Sequence, residues 1–194
     1  LYEPGNYQIY LSNHQKYSIV SDVIPREMSL NSSWRVHFDP YWGKKEPVEF
    51  EKLCSWTDFS DPEICYYSGK ATYEKSFTLN KEQIMGKKIL LDLGNVQELS
   101  VIQINGHRFP TSWSVPFEVD ITPYVREGKN DLSIDVVNMW PNRLIGDSKL
   151  PREKRRTRTN IIKFEASDAE KYLRTSGLLG PVKIKFFEKI KLEK

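Results

Sequence analysis

Residues 99–106 read Leu99-Ser100-Val101-Ile102-Gln103-Ile104-Asn105-Gly106, and this octapeptide decides the fold. Apolar and polar residues alternate as far as Ile104, the period of a half-buried strand. Asn-Gly then supplies the positive φ angles of a two-residue hairpin turn. Neighbouring segments repeat the theme. Upstream, Ile89-Leu90-Leu91-Asp92-Leu93 is a short apolar run suited to a central strand, and 71–79 sets Ala71, Tyr73, Lys75, Phe77 and Leu79 on one face. Downstream, Phe117-Glu118-Val119-Asp120-Ile121 is a strand that stops at Thr122-Pro123. An N-cap followed by proline at the first helical position predicts a short helix through Val125. Gly128-Lys129-Asn130 turns the chain into a strand over 132–137, and Val182-Lys183-Ile184-Lys185-Phe186 is the last.

Further out, the N-terminus reads as a hairpin, with arms at 7–11 and 17–20 around Ser12-Asn13-His14, and Trp34-Arg35-Val36-His37-Phe38 alternates as another strand. Asn80-Lys81-Glu82-Gln83 resembles a capping box opening one helical turn, and Ser167-Asp168-Ala169-Glu170 resembles another, through Leu173. Residues 39–70 and 140–176 read as long loops, which inside a compact domain are usually packed and functional. Many short strands, brief helices and regular turns predict an all-β protein, an antiparallel β-sandwich of two layers. The 194 residues suffice for a sizeable core.

Composition excludes several functions. No apolar window is long enough for a membrane-spanning helix. A net charge of +3 is too mild to imply nucleic acid, and the basic run Arg152-Glu153-Lys154-Arg155-Arg156-Thr157-Arg158 has no interleaved aromatics, so it reads first as a solvated loop and second as a contact for a neighbouring domain or an acidic glycan. Cys54 and Cys65 could form a disulfide or remain thiols, and the three histidines lack metal-ligand spacing. No cofactor is expected; loop oxygens could hold Ca2+, but no ligand set stands out. The opening Leu1-Tyr2-Glu3-Pro4 has no Met and no export signal, so the chain reads as a fragment.

No nucleophile elbow, zinc-protease or phosphate-loop motif is present. Asp58, Asp61 and Glu63 are the nearest thing to a glycosidase carboxyl pair, but beside Pro62 they read as turn and capping groups, so no catalytic residue is expected.

Several ordered motifs together resemble the galactose-binding-like jelly roll that accompanies the catalytic domain in family-two glycoside hydrolases and α-L-rhamnosidase-like proteins. They are Leu91-Asp92-Leu93-Gly94, the 101–106 hairpin, the run from Trp113 to Thr122, Gly128-Lys129-Asn130-Asp131-Leu132, the 67–73 run and the 176–182 run. The resemblance covers roughly 34–187. It implies a domain at 26–194, with 1–25 a hairpin tail of a preceding domain or an N-terminal extension. It further implies a non-catalytic domain that braces the catalytic domain of a multidomain glycoside hydrolase, with other domains of the parent and carbohydrate as partners and neither nucleic acid nor membrane. A periplasmic or extracellular location follows; the alternative is an autonomous carbohydrate-binding module.

Two sets of residues carry the carbohydrate expectation. Trp140-Pro141-Asn142-Arg143-Leu144-Ile145-Gly146-Asp147 leaves a strand end and concentrates an aromatic, an amide, a guanidinium and a carboxylate, the groups that bind sugars. It precedes Arg174-Thr175-Ser176-Gly177, which matches an Arg-x-Ser-Gly motif of the family, and Asn142 stands where the family's pocket carboxylate aligns. The competing reading has Arg143 and Asp147 pairing to pin the loop. The second set is Trp42, Trp56, Tyr66 and Tyr67, either a stacking platform or loop plugs, whereas Trp34 and Trp113 are expected in the core.

Overall fold

A computed structural model describes residues 4–22, 24–159 and 169–188 of the chain. Its strands are β1 (Gly5–Tyr10), β2 (Lys16–Ser21), β3 (Arg26–Ser29), β4 (Ser32–Phe38), β5 (Val48–Lys52), β6 (Lys70–Leu79), β7 (Lys87–Asp92), β8 (Asn95–Gln97), β9 (Leu99–Ile104), β10 (His107–Arg108), β11 (Glu118–Asp120), β12 (Gly128–Val137), β13 (Gly177–Gly180) and β14 (Lys183–Glu188). A six-stranded sheet, ordered β10-β9-β12-β6-β4-β5, faces a four-stranded one, β11-β7-β14-β3. All pairings between these strands are antiparallel, as the alternating pattern predicts.

The longest ladder joins β6 to β12 without a bulge, from Leu79↔Gly128 to Lys70↔Val137. Register decides burial: Tyr73 lies opposite Ile134, which lies opposite Ile102, and all three are buried. One position along, Glu74 lies opposite Ser133, and that row faces solvent. The second sheet contributes Ile89, Leu91, Ile184 and Phe186 to the same core. Burial of such side chains stabilises by about 1.5–3 kcal/mol each. The surface pairs on the open face, such as Arg35–Glu49 and Ser76 to Asp131, contribute under about 1 kcal/mol each, so the core holds the sandwich.

At one end of the sandwich the core is aromatic. Phe38 meets Trp56 at 5.5 Å and Tyr67 at 4.8 Å between ring centroids, edge to face. The indole N–H groups are satisfied: Trp34 Nε1 donates to the Leu30 carbonyl and Trp56 Nε1 to Tyr73 Oη at 2.6 Å. Gly177, at φ +102°, passes so close that a Cβ there would sit 2.5 Å from Trp56 Nε1.

The hairpin turn at Asn105-Gly106 forms with φ of 48° and 87°, and the Asn80 capping box opens α2 after α1; these helices span Pro62–Cys65 (α1) and Lys81–Ile84 (α2). Three expectations change. The stretch 39–70 is not all loop: β5 pairs with β4, and a 3-10 turn and α1 follow. The 123–125 segment is a turn, not a helix, because the Thr122 hydroxyl accepts from Ile89 N at 2.8 Å instead of capping. Trp113 is 79% exposed rather than core, since its strand neighbour Ser112 pairs with Ser100 at the outer edge of β9. The Ser167-Asp168 half of the second capping box lies outside the described residues; Ala169–Tyr172 forms a 3-10 turn. The β1–β2 hairpin pairs with itself in full register.

Gly177→Ala combines a forbidden φ with a clash against a packed indole, and should lower stability by about 3 kcal/mol or more in urea denaturation. Gly106→Ala meets open space and should cost only about 1–2 kcal/mol of backbone strain. Equal costs would show that the Trp56–Tyr73 contact yields to an added methyl.

Burial pushes the Tyr67 phenol up to about 12, and burial raises that of Tyr73 as well. The folded chain therefore keeps protons that the unfolded chain loses near pH 10. Stability from this source is complete below pH 10 and falls by about 2–3 kcal/mol for Tyr67 as pH rises towards 12. A urea midpoint unchanged between about pH 9 and 12 would contradict it.

Candidate functional site

At the end of the six-stranded sheet where β12 stops, the chain enters an eight-residue helix, α3 (Pro141–Ser148). Pro141 occupies its first turn, where a missing N–H costs nothing. This proline, with the i,i+4 spacing of Arg143 and Asp147, is the sequence signal for a helix in a stretch that otherwise reads as loop.

The helix divides the expected site residues into two groups. Asn142, Arg143 and Asp147 point inward and are almost completely buried. Asn142 Nδ2 donates to the Arg174 carbonyl at 2.7 Å and Ser176 Oγ at 3.0 Å, while its oxygen accepts from Arg174 N at 2.8 Å. These bonds engage both ends of the amide. The Arg143 guanidinium lies 3.0 Å from Asp147 Oδ1, and Asp147 Oδ2 accepts from both the N–H and the hydroxyl of Thr157. Burial lowers the Arg143 pKa, and the Asp147 charge opposes that shift. The contact is an ion pair off the hydrogen-bond axis, for Arg143 Nε and Asp147 Oδ1 have no aligned partner. Of the two readings open for Arg143 and Asp147, the geometry matches the pin: they pair within α3, and Asp147 ties the helix to Thr157.

Trp140 faces outward, 57% exposed, and meets the half-buried Trp42 edge-on at 5.7 Å; Tyr41 meets Trp42 at 4.9 Å. Grooves flank this pair. One, of about 230 Å³, runs over Asp39, Ser68, Lys70 and Asn138; the other, of about 370 Å³, runs between the indoles, Leu144, Arg156 and Arg158. Arg174 is exposed and offers its backbone, not its guanidinium, to Asn142. Trp56, one of the expected platform residues, is fully buried with its N–H on Tyr73, so sugar cannot reach it. Tyr67 is likewise core, and half-buried Tyr66 donates to Glu170.

The carboxylates of 58–63 do structural work. Asp58 closes a capping box with Ser55, Asp61 caps α1 and contacts Lys44 at 2.6 Å, and Glu63 lies 3.3 Å from Arg156. The bond to Lys44 holds the Asp61 carboxyl below its usual range, the opposite of what a general acid needs. Cys54 and Cys65 are half-buried free thiols, each pushed up in pKa by burial. Among the described residues no cluster of three or more His, Cys, Asp or Glu is placed to hold a metal ion, and no helix is long and apolar enough to cross a membrane.

Sequence reasoning missed Asn138, Leu144, Thr157 and the grooves. Asn138 Nδ2 donates to the Tyr67 carbonyl and Ser176 Oγ, and its oxygen accepts from Gly69 N. An asparagine at a strand end carries no signal that separates this bridging role from a turn.

With this geometry in place, comparison with known proteins adds the following. A family model described as glycosyl hydrolases family 2, sugar binding domain, matches residues 21–174. A putative beta-glucuronidase from Formosa agariphila is 36% identical over 182 residues, covering 83% of this chain and 16% of the relative. The structure of a rhamnosidase from Novosphingobium sp. PP1Y is 34% identical with a TM-score of 0.75, over 87% of this chain and 16% of that one. A Ruminococcus gnavus beta-glucuronidase shares the fold, with a TM-score of 0.60 at 22% identity, over 87% and 29% of the two chains. The chain thus spans about one sixth of its curated relative.

Arg143→Ala leaves a carboxylate buried without its ion, and should lower stability by about 3–5 kcal/mol in urea denaturation. The double variant Arg143→Met, Asp147→Asn removes both charges while keeping an acceptor for Thr157, and should recover most of that loss. A single variant within about 1 kcal/mol of wild type would show that the pair does not pin the helix.

Proposed function

The chain belongs to the sugar-binding domains of glycosyl hydrolase family 2, and on that premise we propose that it is a non-catalytic domain of a multidomain glycoside hydrolase, one that braces the catalytic domain and lends its α3 end to carbohydrate binding. One observation carries the proposal: large apolar side chains lie exposed at one end of the sandwich. Tyr41 and Trp42 stack beside Trp140. Met139 and Trp140 follow the last residues of β12, and Ser100, the partner of Ser112 just before Trp113, lies opposite Val136 of that strand. Exposed rings and aliphatics gathered in this way mark a surface that meets something else.

The names of the relatives, beta-glucuronidase and rhamnosidase, support a parent that cleaves glycosides. Polymeric substrates do not cross membranes, which favours a periplasmic or extracellular parent. We place the domain at 26–194 and assign 1–25 to a preceding domain or an extension; the self-paired hairpin and a family match beginning at residue 21 support the division. The alternative, an autonomous carbohydrate-binding module, fits less well. On the open face of the larger sheet the polar groups pair with each other, His37 with Glu74 and Thr72 with Asp135, and the groove there has no aromatic lining.

The test uses the parent enzyme and the 194-residue chain together. Trp113→Asp with Val115→Asp should leave the melting temperature of the chain unchanged and lower that of the parent by several degrees, with faster proteolysis between domains. The chain alone should release no nitrophenol from nitrophenyl β-D-glucuronide or α-L-rhamnoside. A parent indifferent to both substitutions, or turnover by the chain, would refute the proposal.

A further inference from the structure

The groove beside Trp42 and Trp140 has an electrical character that the bracing role does not require. The 152–158 segment, of which only Arg156, Thr157 and Arg158 line the groove, carries five basic residues and one acidic, a net charge of +4, against +3 for the entire chain. All of the chain's net positive charge is therefore concentrated here, and the remainder of the molecule is slightly negative. Arg156 and Arg158 line the groove opposite the indoles.

Their neighbours leave this charge incompletely answered. Arg156 places Nη2 3.3 Å from Glu63, but its Nη1 is buried and has no hydrogen-bond acceptor. Asp147, the other nearby carboxylate, is spent on Arg143 and on Thr157. Arg143 and Arg156 also repel one another, and the proximity of Arg156 works with burial to lower the Arg143 pKa. Arg143 and Arg156 thus each have one carboxylate, and Arg158 forms no ion pair among the described residues. The guanidinium open to the groove is that of exposed Arg158, and a charge-assisted bond from such a planar fork is stronger than a neutral one.

The other wall offers a different chemistry. Trp140 and Trp42 present indole surface at the mouth, and Leu144 continues the apolar strip. The C–H faces of a pyranose ring suit such a surface, and the planar forks of arginine suit the paired oxygens of a carboxylate or sulfate. A volume of about 370 Å³ lies at the small end of the range for ligand pockets, about 300–1,000 Å³.

We propose that this groove is a subsite for an anionic sugar unit, whose ring lies against Trp140 and Trp42 and whose carboxylate or sulfate ester is held by Arg156 and Arg158. The proposal rests on the reading of the α3 end as the carbohydrate-facing end of the domain, and it assigns that end a substrate class. Neutral glycans would gain the apolar contact alone.

Titration of the 194-residue chain, followed by amide chemical shifts, tests it with three probes: trigalacturonate, the neutral galactotriose and a sulfated galactose oligosaccharide without carboxylates. At least one anionic probe should bind about tenfold more tightly than galactotriose, moving the indole N–H signals of Trp42 and Trp140. Which one does so identifies the anion. Trp140→Ala and Arg158→Gln, both at exposed positions, should each weaken that binding about tenfold without changing the melting temperature. Raising salt should weaken it in wild type and much less in Arg158→Gln.

Equal binding of galactotriose would overturn the anionic assignment and leave the carbohydrate reading of this end standing. Unmoved indole signals with every probe at about 10 mM, where a contact of about 3 kcal/mol would register, would overturn the subsite altogether. Neither result touches the docking of Trp113 and Val115 in the parent, so the bracing role fails or survives separately.

Discussion

Ser176 ties four separate segments of the chain together, and the end of the sandwich depends on it. Its N–H donates to Ser55 Oγ, and its carbonyl accepts from Trp56 N. Its hydroxyl donates to the Arg174 carbonyl and accepts from the amides of both Asn138 and Asn142. Ser55, Asn142 and Ser176 are buried, and Asn138 is half-buried. An irregular segment beneath the sandwich end would otherwise bury orphaned N–H and C=O groups, at about 1–3 kcal/mol each. The asparagines remove that cost by acting as short pieces of backbone, with a donor and an acceptor on each side chain. Because Asn138 directly follows β12 and Asn142 lies in the first turn of α3, the same bonds fix how the chain turns between them, and so fix where Trp140 points.

The sheet was legible in the sequence because the forces that make it act on neighbours. Alternation over 71–79 and 99–104 translates directly into which residues are buried, and Asn105-Gly106 can hardly do anything but turn. Predictions failed where a distant partner decided the outcome. Thr122-Pro123 has the local chemistry of a helix start, but its hydroxyl is claimed by Ile89 N, 33 positions away. β5 lies in a stretch dense with Pro, Gly and charge, and becomes a strand only because β4 offers an edge.

The site was legible in kind but not in allocation. The residues from Trp140 to Asp147 have the chemistry of sugar recognition, yet Asn142, Arg143 and Asp147 turn inward from α3 while Trp140, at the N-cap before the helix, stays on the surface. Asn142, Arg143 and Asp147 are polar groups with internal partners, whereas Trp140 is an apolar group without full burial. The usual expectation that tryptophan goes inside and charge goes outside is reversed along four consecutive residues. Trp56 and Trp140 show the same limit from the other side: both sit in aromatic-rich loops, and only the approach of Gly177 and Tyr73 makes the first a core residue.

That reversal explains how this end of the domain can present a defined surface. A ligand-contacting ring on a mobile loop loses its freedom on binding, at roughly 0.5–1.5 kcal/mol for each immobilised side chain, with more for ordering the loop. Here the loop is already ordered. Asp147, held by Arg143, locks α3 to Thr157 between Arg156 and Arg158, Asn142 locks it to residue 174, and Trp42 supports Trp140 from the side. The buried ion pair that contributes little net stability relative to an apolar substitute can still be retained for this reason, since it holds the Asp147 carboxylate where its other oxygen bonds Thr157, between Arg156 and Arg158. Both walls are needed before either becomes selective: indoles alone accept most sugar rings, and guanidiniums alone accept most anions. Their fixed separation is what turns two general affinities into a preference.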